Sequence, residues 1–389
     1  MAGPVCGLML ADLGAEVVKV ERLPDGDATR GFVPPTVNGE SAAFMMLNRG
    51  KRGVALDLQG NAGRKAFLRI VGNSDVLVEN FRPGTMERMG YGWEELSARW
   101  PRLVYCQISG FGRTGPLAPL GGFDLIAQGY AGLMSITGEG SGRPPVKVGG
   151  PVTDITAGAL AALGAVSALF QRRETGRGRR VDTSLFEAGI IHTYWQSAIA
   201  LGSDSAPGPL GSAHPLTAPY QAFRSSDGWI NIGASNQKTW RRLVETLGVP
   251  ELAEDRRFKT NERRMENLEE LIDLLSPIVR ERSSEHWLGA LATVGVPAGP
   301  VATIPEMLAN EQTEARMLVE TEHSVAGRVK GIGCPIKFSG ADEGRTRRPA
   351  PRLGEHTREV LAEVGMTEAE IDEVVGQSAT KRARAPRAL

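Results

Sequence analysis

The chain has 389 residues, more than one hydrophobic core usually organises, so its length predicts two domains. Hydrophobic residues make up 41% and charged residues 23%, too apolar a mixture for intrinsic disorder. Lys plus Arg number 45 and so do Asp plus Glu, which leaves no net charge to recruit nucleic acid, though a local basic cluster can still hold one phosphorylated ligand.

The opening MAGPVCGLMLA has no basic leader and runs straight into Asp12 and Glu16, so residues 4–13 read as a core helix stopped by Gly14 rather than a signal. EVVKVE (16–21) alternates like a strand, and the order continues with a helix at 62–73, the strand DVLVEN (75–80), a helix at 84–98 and the strand LVYCQIS (103–109). That alternation predicts an α/β fold: a large Rossmann-like domain with a parallel sheet. Such a sheet ordinarily begins with a strand, whereas here the first element is the helix that follows one. The expectation is a missing first strand, with the natural start lying upstream.

Residues 110–151 are rich in Gly and Pro and too long for a plain connection. ITAGALAALGAVSALFQRRE then reads as an Ala-rich helix, with Asp154 just before it. No apolar run is expected to span a bilayer, so no membrane partner is expected. The larger domain is assigned to 1–201, a linker to 202–216, and a smaller α/β domain containing the strand WINIGA to 217–315. A return linker (316–350), a C-terminal helix packing on the large domain (351–378) and a basic tail (379–389) complete the chain. The tail reads as frayed rather than as a nucleic-acid arm.

Cys6, Cys106 and Cys334 are far apart, and the five histidines show no ligand spacing, so neither a disulfide framework nor a metal is expected and a reducing cytoplasm fits. Gly110, Gly112 and Gly115 spell G-x-G-x-x-G after a strand. Pro116 and Pro119 follow where a phosphate-binding helix should open, which argues against a dinucleotide. Asp154 admits two readings: a helix N-cap, or a carboxylate nucleophile among small residues that let a bulky thioester approach. Arg22, Arg82 and Arg88 fall at or beyond strand ends, where open parallel sheets bind ligands, and together they suit phosphates.

The stretches AGPVCGLMLADLGAEVVKVE, NRGKRGVALDL, DVLVENFRPGTMERMG and ETGRGRRVDTSLFEA resemble those of the class III CoA-transferases, the formyl-CoA transferase and carnitine CoA-transferase family. The resemblance implies Asp154 as nucleophile, Asp124 in GGFDLIAQ as a supporting acid, and Gly233 and Ala234, with Ser235 and Asn236, as an acyl-site loop less glycine-rich than the family's. It implies CoA contacts at Arg22, Leu56, Asn80, Phe81, Arg82 and Arg88, with CoA and acyl-CoA as substrates and no permanently bound cofactor. It further implies an interlocked homodimer and acyl-aspartyl anhydride and aspartyl-CoA intermediates. The pattern leans toward a succinyl-CoA donor and a small dicarboxylic acceptor, whose second carboxylate Lys147, Lys238, Arg241 or Arg242 could hold. Two alternatives stay open. A 2-methylacyl-CoA racemase of this fold carries a His before the acidic residue where this chain has Phe123, and a non-catalytic acyl-CoA binder would keep the fold alone.

Overall fold

The computed structural model describes residues 1–339 and 348–384 and divides the chain into two compact units. The larger contains Met1–Ala131, Gly149–His192 and the chain from Glu311 on; the smaller contains Gly132–Val148 and Thr193–Asn310. Residues 132–148 and 193–216 thus group with the smaller unit, unlike the boundaries drawn at 201 and 216.

In the larger unit, Val17–Arg22 pairs in parallel with Lys51–Leu56, and Val76–Glu79, Val104–Ser109 and Arg180–Ser184 form a second parallel sheet in that order. Lys51–Leu56 and Val104–Ser109 are buried along their whole lengths, as expected of strands covered on both faces. The opening helix, Ala2–Asp12, packs on both sheets and on the long helix Val152–Thr175. Small residues set this contact: Ala2, Cys6, Ala157 and Ala161 share one core with Ile108, and a Cβ at Gly158 would stand 2.7 Å from the Ala2 carbonyl oxygen.

The long helix corrects one expectation. It has 24 residues, and an 18-residue window within it has a mean hydropathy of 1.6, apolar enough, by length and composition, to cross a membrane. Its alanines 157, 161, 162, 165 and 168 are nonetheless buried in this unit, while Leu163 and Phe170 stand 64% and 65% exposed on other faces. The helix expected at 84–98 is two, Thr85–Arg88 and Trp93–Arg99, with Gly90 at φ 74° between them. The C-terminal helix is likewise two, Thr357–Glu363 and Glu368–Arg384, with Gly365 at φ 77°. The second carries Lys381–Arg384 of the supposed frayed tail in a helix, and 385–389 lie outside the described residues.

The C-terminal segment covers a sheet edge. Gly53 N–H donates to His356 Nδ1 at 3.1 Å and Ala55 N–H to Thr357 Oγ1 at 3.1 Å, while buried Arg52 binds Glu359 and Glu363 at 2.9 and 2.7 Å. The 316–350 stretch holds an antiparallel hairpin, Leu318–His323 with Gly327–Ile332, where only a linker was expected.

The smaller unit has an antiparallel sheet ordered Ala298–Pro300, Trp229–Gly233, Tyr220–Arg224, with Trp240, Leu243, Phe258, Leu271, Leu275 and Trp287 in its core. Arg264 is fully buried among them. It donates to the carbonyls of Ala218 and Phe258 and to Gln237, and its Nη2 has no partner; burial lowers its pKa to about 10.

Candidate active site

The first amides of a helix lack intrahelical acceptors and normally take one from the N-cap side chain. Pro151 stands at that position of the long helix and offers none. Asp124, at the start of the Asp124–Tyr130 helix, supplies it instead. Its Oδ1 accepts the Thr153 N–H at 3.0 Å and the Thr153 hydroxyl at 2.8 Å, and its Oδ2 accepts from the buried Gln128 amide at 2.8 Å. Asp154 is the third residue of the helix rather than its N-cap, so the capping reading of that residue is corrected.

The Asp154 side chain, 15% exposed, points at the opening helix, where its Oδ1 accepts the Ala2 N–H at 3.1 Å and lies 3.8 Å from the Met1 amine. Burial raises its pKa, and the negative charge of Asp124 adds to that; the Met1 amine and the Ala2 N–H pull the other way. A carboxylate partly stripped of water, held by one amide and freed from capping, is chemically able to act as a nucleophile. Gly158 permits this arrangement, because any larger residue would push the opening helix and its Ala2 amide off Asp154.

The next amide of the opening helix, Gly3 N–H, donates to Asn80 Oδ1 at 3.3 Å, and Asn80 Nδ2 donates to the Ile108 carbonyl at 2.8 Å. Asn80 therefore ties the turn after Val76–Glu79 to the helix that meets Asp154. Phe81 is 49% exposed in that turn, and a side chain at Gly121 would touch the Arg82 guanidinium, three residues from Asp124. Asp154, Asp124, Asn80, Phe81 and Arg82 thus belong to one connected region. Arg88 donates to Thr85 Oγ1 at 3.0 Å at the end of its short helix. Arg22 ends the other sheet, exposed, in register with Leu56, which is fully buried and can support a ligand only through its neighbours.

Gly233 and Ala234 lie in the smaller unit after the strand Trp229–Gly233. Their amides donate to the carbonyls of Pro297 and Pro219, both at 2.9 Å, so neither is free for an oxyanion. Asn236 caps the Gln237–Thr246 helix in a reciprocal box with Thr239. Of the cations considered for a second carboxylate, all in this unit, Arg241 faces Glu254 at 3.5 Å and Lys147 donates to the Val148 carbonyl at 3.1 Å.

The apparent dinucleotide motif has a packing role: a Cβ on Gly110 would come within 2.6 Å of the Gly122 amide nitrogen, so the glycine lets two loops meet. Among the described residues no group of three His, Cys, Asp or Glu could hold a metal ion.

Lys51 and Glu79 are two of several buried ionisable groups that the sequence does not single out. Lys51 Nζ donates to the carbonyls of Pro4 and Leu47 at 2.7 and 2.8 Å and to Asn48 Oδ1 at 2.8 Å, and burial holds its pKa well below the usual range. Glu79 closes the strand before Asn80, 4% exposed, accepting the Phe81 N–H at 2.8 Å, and burial raises its pKa to about 7. A charge ending an otherwise apolar strand was the available signal for Glu79; nothing local marked Lys51.

The model of CoA-transferase family III matches residues 1–357. The chain is 38% identical to a succinate–glutarate CoA-transferase of Agrobacterium fabrum, across 94% of this chain and 92% of that protein. It is also 38% identical to an acetyl-CoA:oxalate CoA-transferase of Acetobacter aceti, across 94% and 93%. The crystal structure of a CAIB/BAIF family protein from Brucella suis superposes with a TM-score of 0.82 at 39% identity, across 94% of this chain and 96% of that one. With the sequence, the parallel-sheet fold and these relatives in agreement, the chain belongs to the CoA-transferase family III.

Proposed function

We propose that this enzyme moves CoA from a small acyl-CoA, succinyl-CoA or a close analogue, to a small dicarboxylic acid, with Asp154 as the covalent nucleophile. The observation that carries the reading is the division of labour at the long helix: Asp124 caps it, leaving Asp154 free and partly desolvated. The relatives' named substrates, glutarate and oxalate among them, support the acceptor class.

The steps balance without ATP. The Asp154 carboxylate attacks the donor carbonyl and expels CoA thiolate, giving a mixed anhydride. The thiolate attacks the aspartyl carbonyl and releases the donor acid, leaving an aspartyl-CoA thioester. The acceptor carboxylate attacks that thioester and again expels the thiolate. Attack of the thiolate on the acceptor's acyl carbon then yields new acyl-CoA and restores Asp154. In this reading the Ala2 N–H stays on the aspartyl oxygen as charge develops there, and Arg22, Arg82 and Arg88 pair with CoA phosphates beside Phe81. Anhydrides hydrolyse readily, so the bound state must exclude water.

The reading includes a cytoplasmic, interlocked homodimer, since exposed apolar side chains such as Leu163 and Phe170 offer surface that a second copy would cover. Phe123 gives a racemase no proton shuttle at that position. The test is to incubate the protein with succinyl-CoA and a panel of small acids, beside Asp154→Asn, and to read new thioesters by mass spectrometry. New acyl-CoA made only by the wild type supports the proposal; equal products from both proteins reject it.

A further inference from the structure

Glu79 sits where an acidic residue is costly. It ends the strand Val76–Glu79, immediately before the turn Asn80–Arg82, and it is 4% exposed. One carboxyl oxygen is used: Oε2 accepts the Phe81 N–H at 2.8 Å, which bends the chain so that Phe81 and Arg82 face outward. Oε1 is buried with no hydrogen-bond partner. An unpaired oxygen on a buried carboxylate is expensive, and less so on a neutral carboxyl.

The groups facing Glu79 compensate it only in part: the Phe81 amide, Arg113 and the Gln107 side chain favour the ionised form, against burial and Glu87. The strand Val104–Ser109 contributes Tyr105 and Gln107, the latter its direct register partner. The Thr85–Arg88 helix contributes Glu87, a like charge. Arg113 favours ionisation from the loop beyond Ser109, but its Nη1 is already held by Glu87 at 3.0 Å and Gln107 at 2.6 Å. The strand Arg180–Ser184 adds Asp182 opposite Gln107, with Arg180 beside it. Burial prevails, and the carboxyl titrates near neutrality instead of in the acid range.

We propose that Glu79 is a positioning residue for acyl-CoA: its carboxyl shapes the Asn80–Arg82 turn through the Phe81 amide, and its protonation tightens binding by removing a negative charge from beneath a turn that receives a polyanion. The inference rests on the reading of Phe81 and Arg82 as CoA contacts. By linkage, if the protonated form binds acyl-CoA better, affinity falls as pH rises through the carboxyl's pKa, and bound acyl-CoA raises that pKa further.

The experiment measures KM for succinyl-CoA and kcat from pH 6 to 8.5 in wild type, Glu79→Gln, Glu79→Ala and Arg82→Ala. Glu79→Gln keeps an oxygen for the Phe81 amide and fixes the neutral state. Wild-type KM should rise by about fivefold across this range relative to Glu79→Gln, the size expected for one partly screened charge. The titration of CoA's own phosphate is common to both proteins and cancels. Glu79→Ala, which also loses the turn's acceptor, should raise KM at every pH with little change in kcat. Parallel KM profiles for wild type and Glu79→Gln, with Arg82→Ala raising KM, would overturn the Glu79 proposal alone. An unchanged KM in Arg82→Ala would overturn the CoA-contact reading and this inference with it.

Discussion

The long helix Val152–Thr175 and the Gln237–Thr246 helix of the smaller unit both carry polar residues in their first turn, but they satisfy their first amides differently. The second caps itself: Asn236 accepts the Thr239 amide and the Thr239 hydroxyl accepts the Asn236 amide. The first borrows its cap from Asp124, about thirty positions earlier in the chain, and turns its own acidic residue toward another helix. A self-capped start uses up its polar atoms in folding, whereas a start capped from outside keeps a carboxylate for chemistry. With Asp154 as the proposed nucleophile, that difference gives each helix start a distinct mutational signature.

The largest expected effect is Asp154→Asn, which should lower CoA transfer by about 10⁴-fold or more, because no other group takes the nucleophile's place. Stability should not fall. The folded-state pKa of Asp154 is raised, so its ionised form costs stability at pH values above the unfolded carboxyl's, and the amide removes that cost. Thermal melts at pH 7.5 alongside the transfer assay check both halves. Next comes Gly158→Val, which forces the opening helix away from the long one. It should cost about 1–3 kcal/mol of stability and also reduce kcat, since the Ala2 amide leaves Asp154.

Asp124→Ala should cost about 1–2 kcal/mol by uncapping Thr153. It also removes a like charge, so the acid limb of the pH–rate profile, where Asp154 takes up its proton, should move to lower pH. Asn236→Ala is the smallest: about 1 kcal/mol by denaturant titration, with transfer nearly unchanged. A large transfer defect in Asn236→Ala with normal stability would erase the contrast between the two helix starts.

Much of this fold is legible in the sequence, and the exceptions share a cause. The strands around EVVKVE, DVLVEN and LVYCQIS follow from β-branched alternation, and WINIGA marks the smaller sheet. Arg180–Ser184 went unmarked because its charged and hydroxyl residues hide a strand that long-range pairing with Val104–Ser109 creates. The helices expected at 84–98 and 351–378 run through Gly90 and Gly365, whose positive φ breaks them. At the site, Asp154 could be located but not distinguished from a cap, because the deciding partner is Asp124 across the fold. The engaged amides of Gly233 and Ala234, and the buried states of Glu79 and Lys51, likewise depend on contacts that no local pattern encodes.

Covalent catalysis by Asp154 is tested most directly by mixing the protein with succinyl-CoA in the absence of acceptor, quenching within one turnover, digesting, and identifying modified peptides by mass spectrometry. The peptide spanning Asp154 should carry a CoA thioester that disappears when a dicarboxylate is added and never forms in Asp154→Asn. CoA attached to another residue, or rapid transfer with no adduct at any quench time and full activity in Asp154→Asn, would contradict covalent catalysis by Asp154.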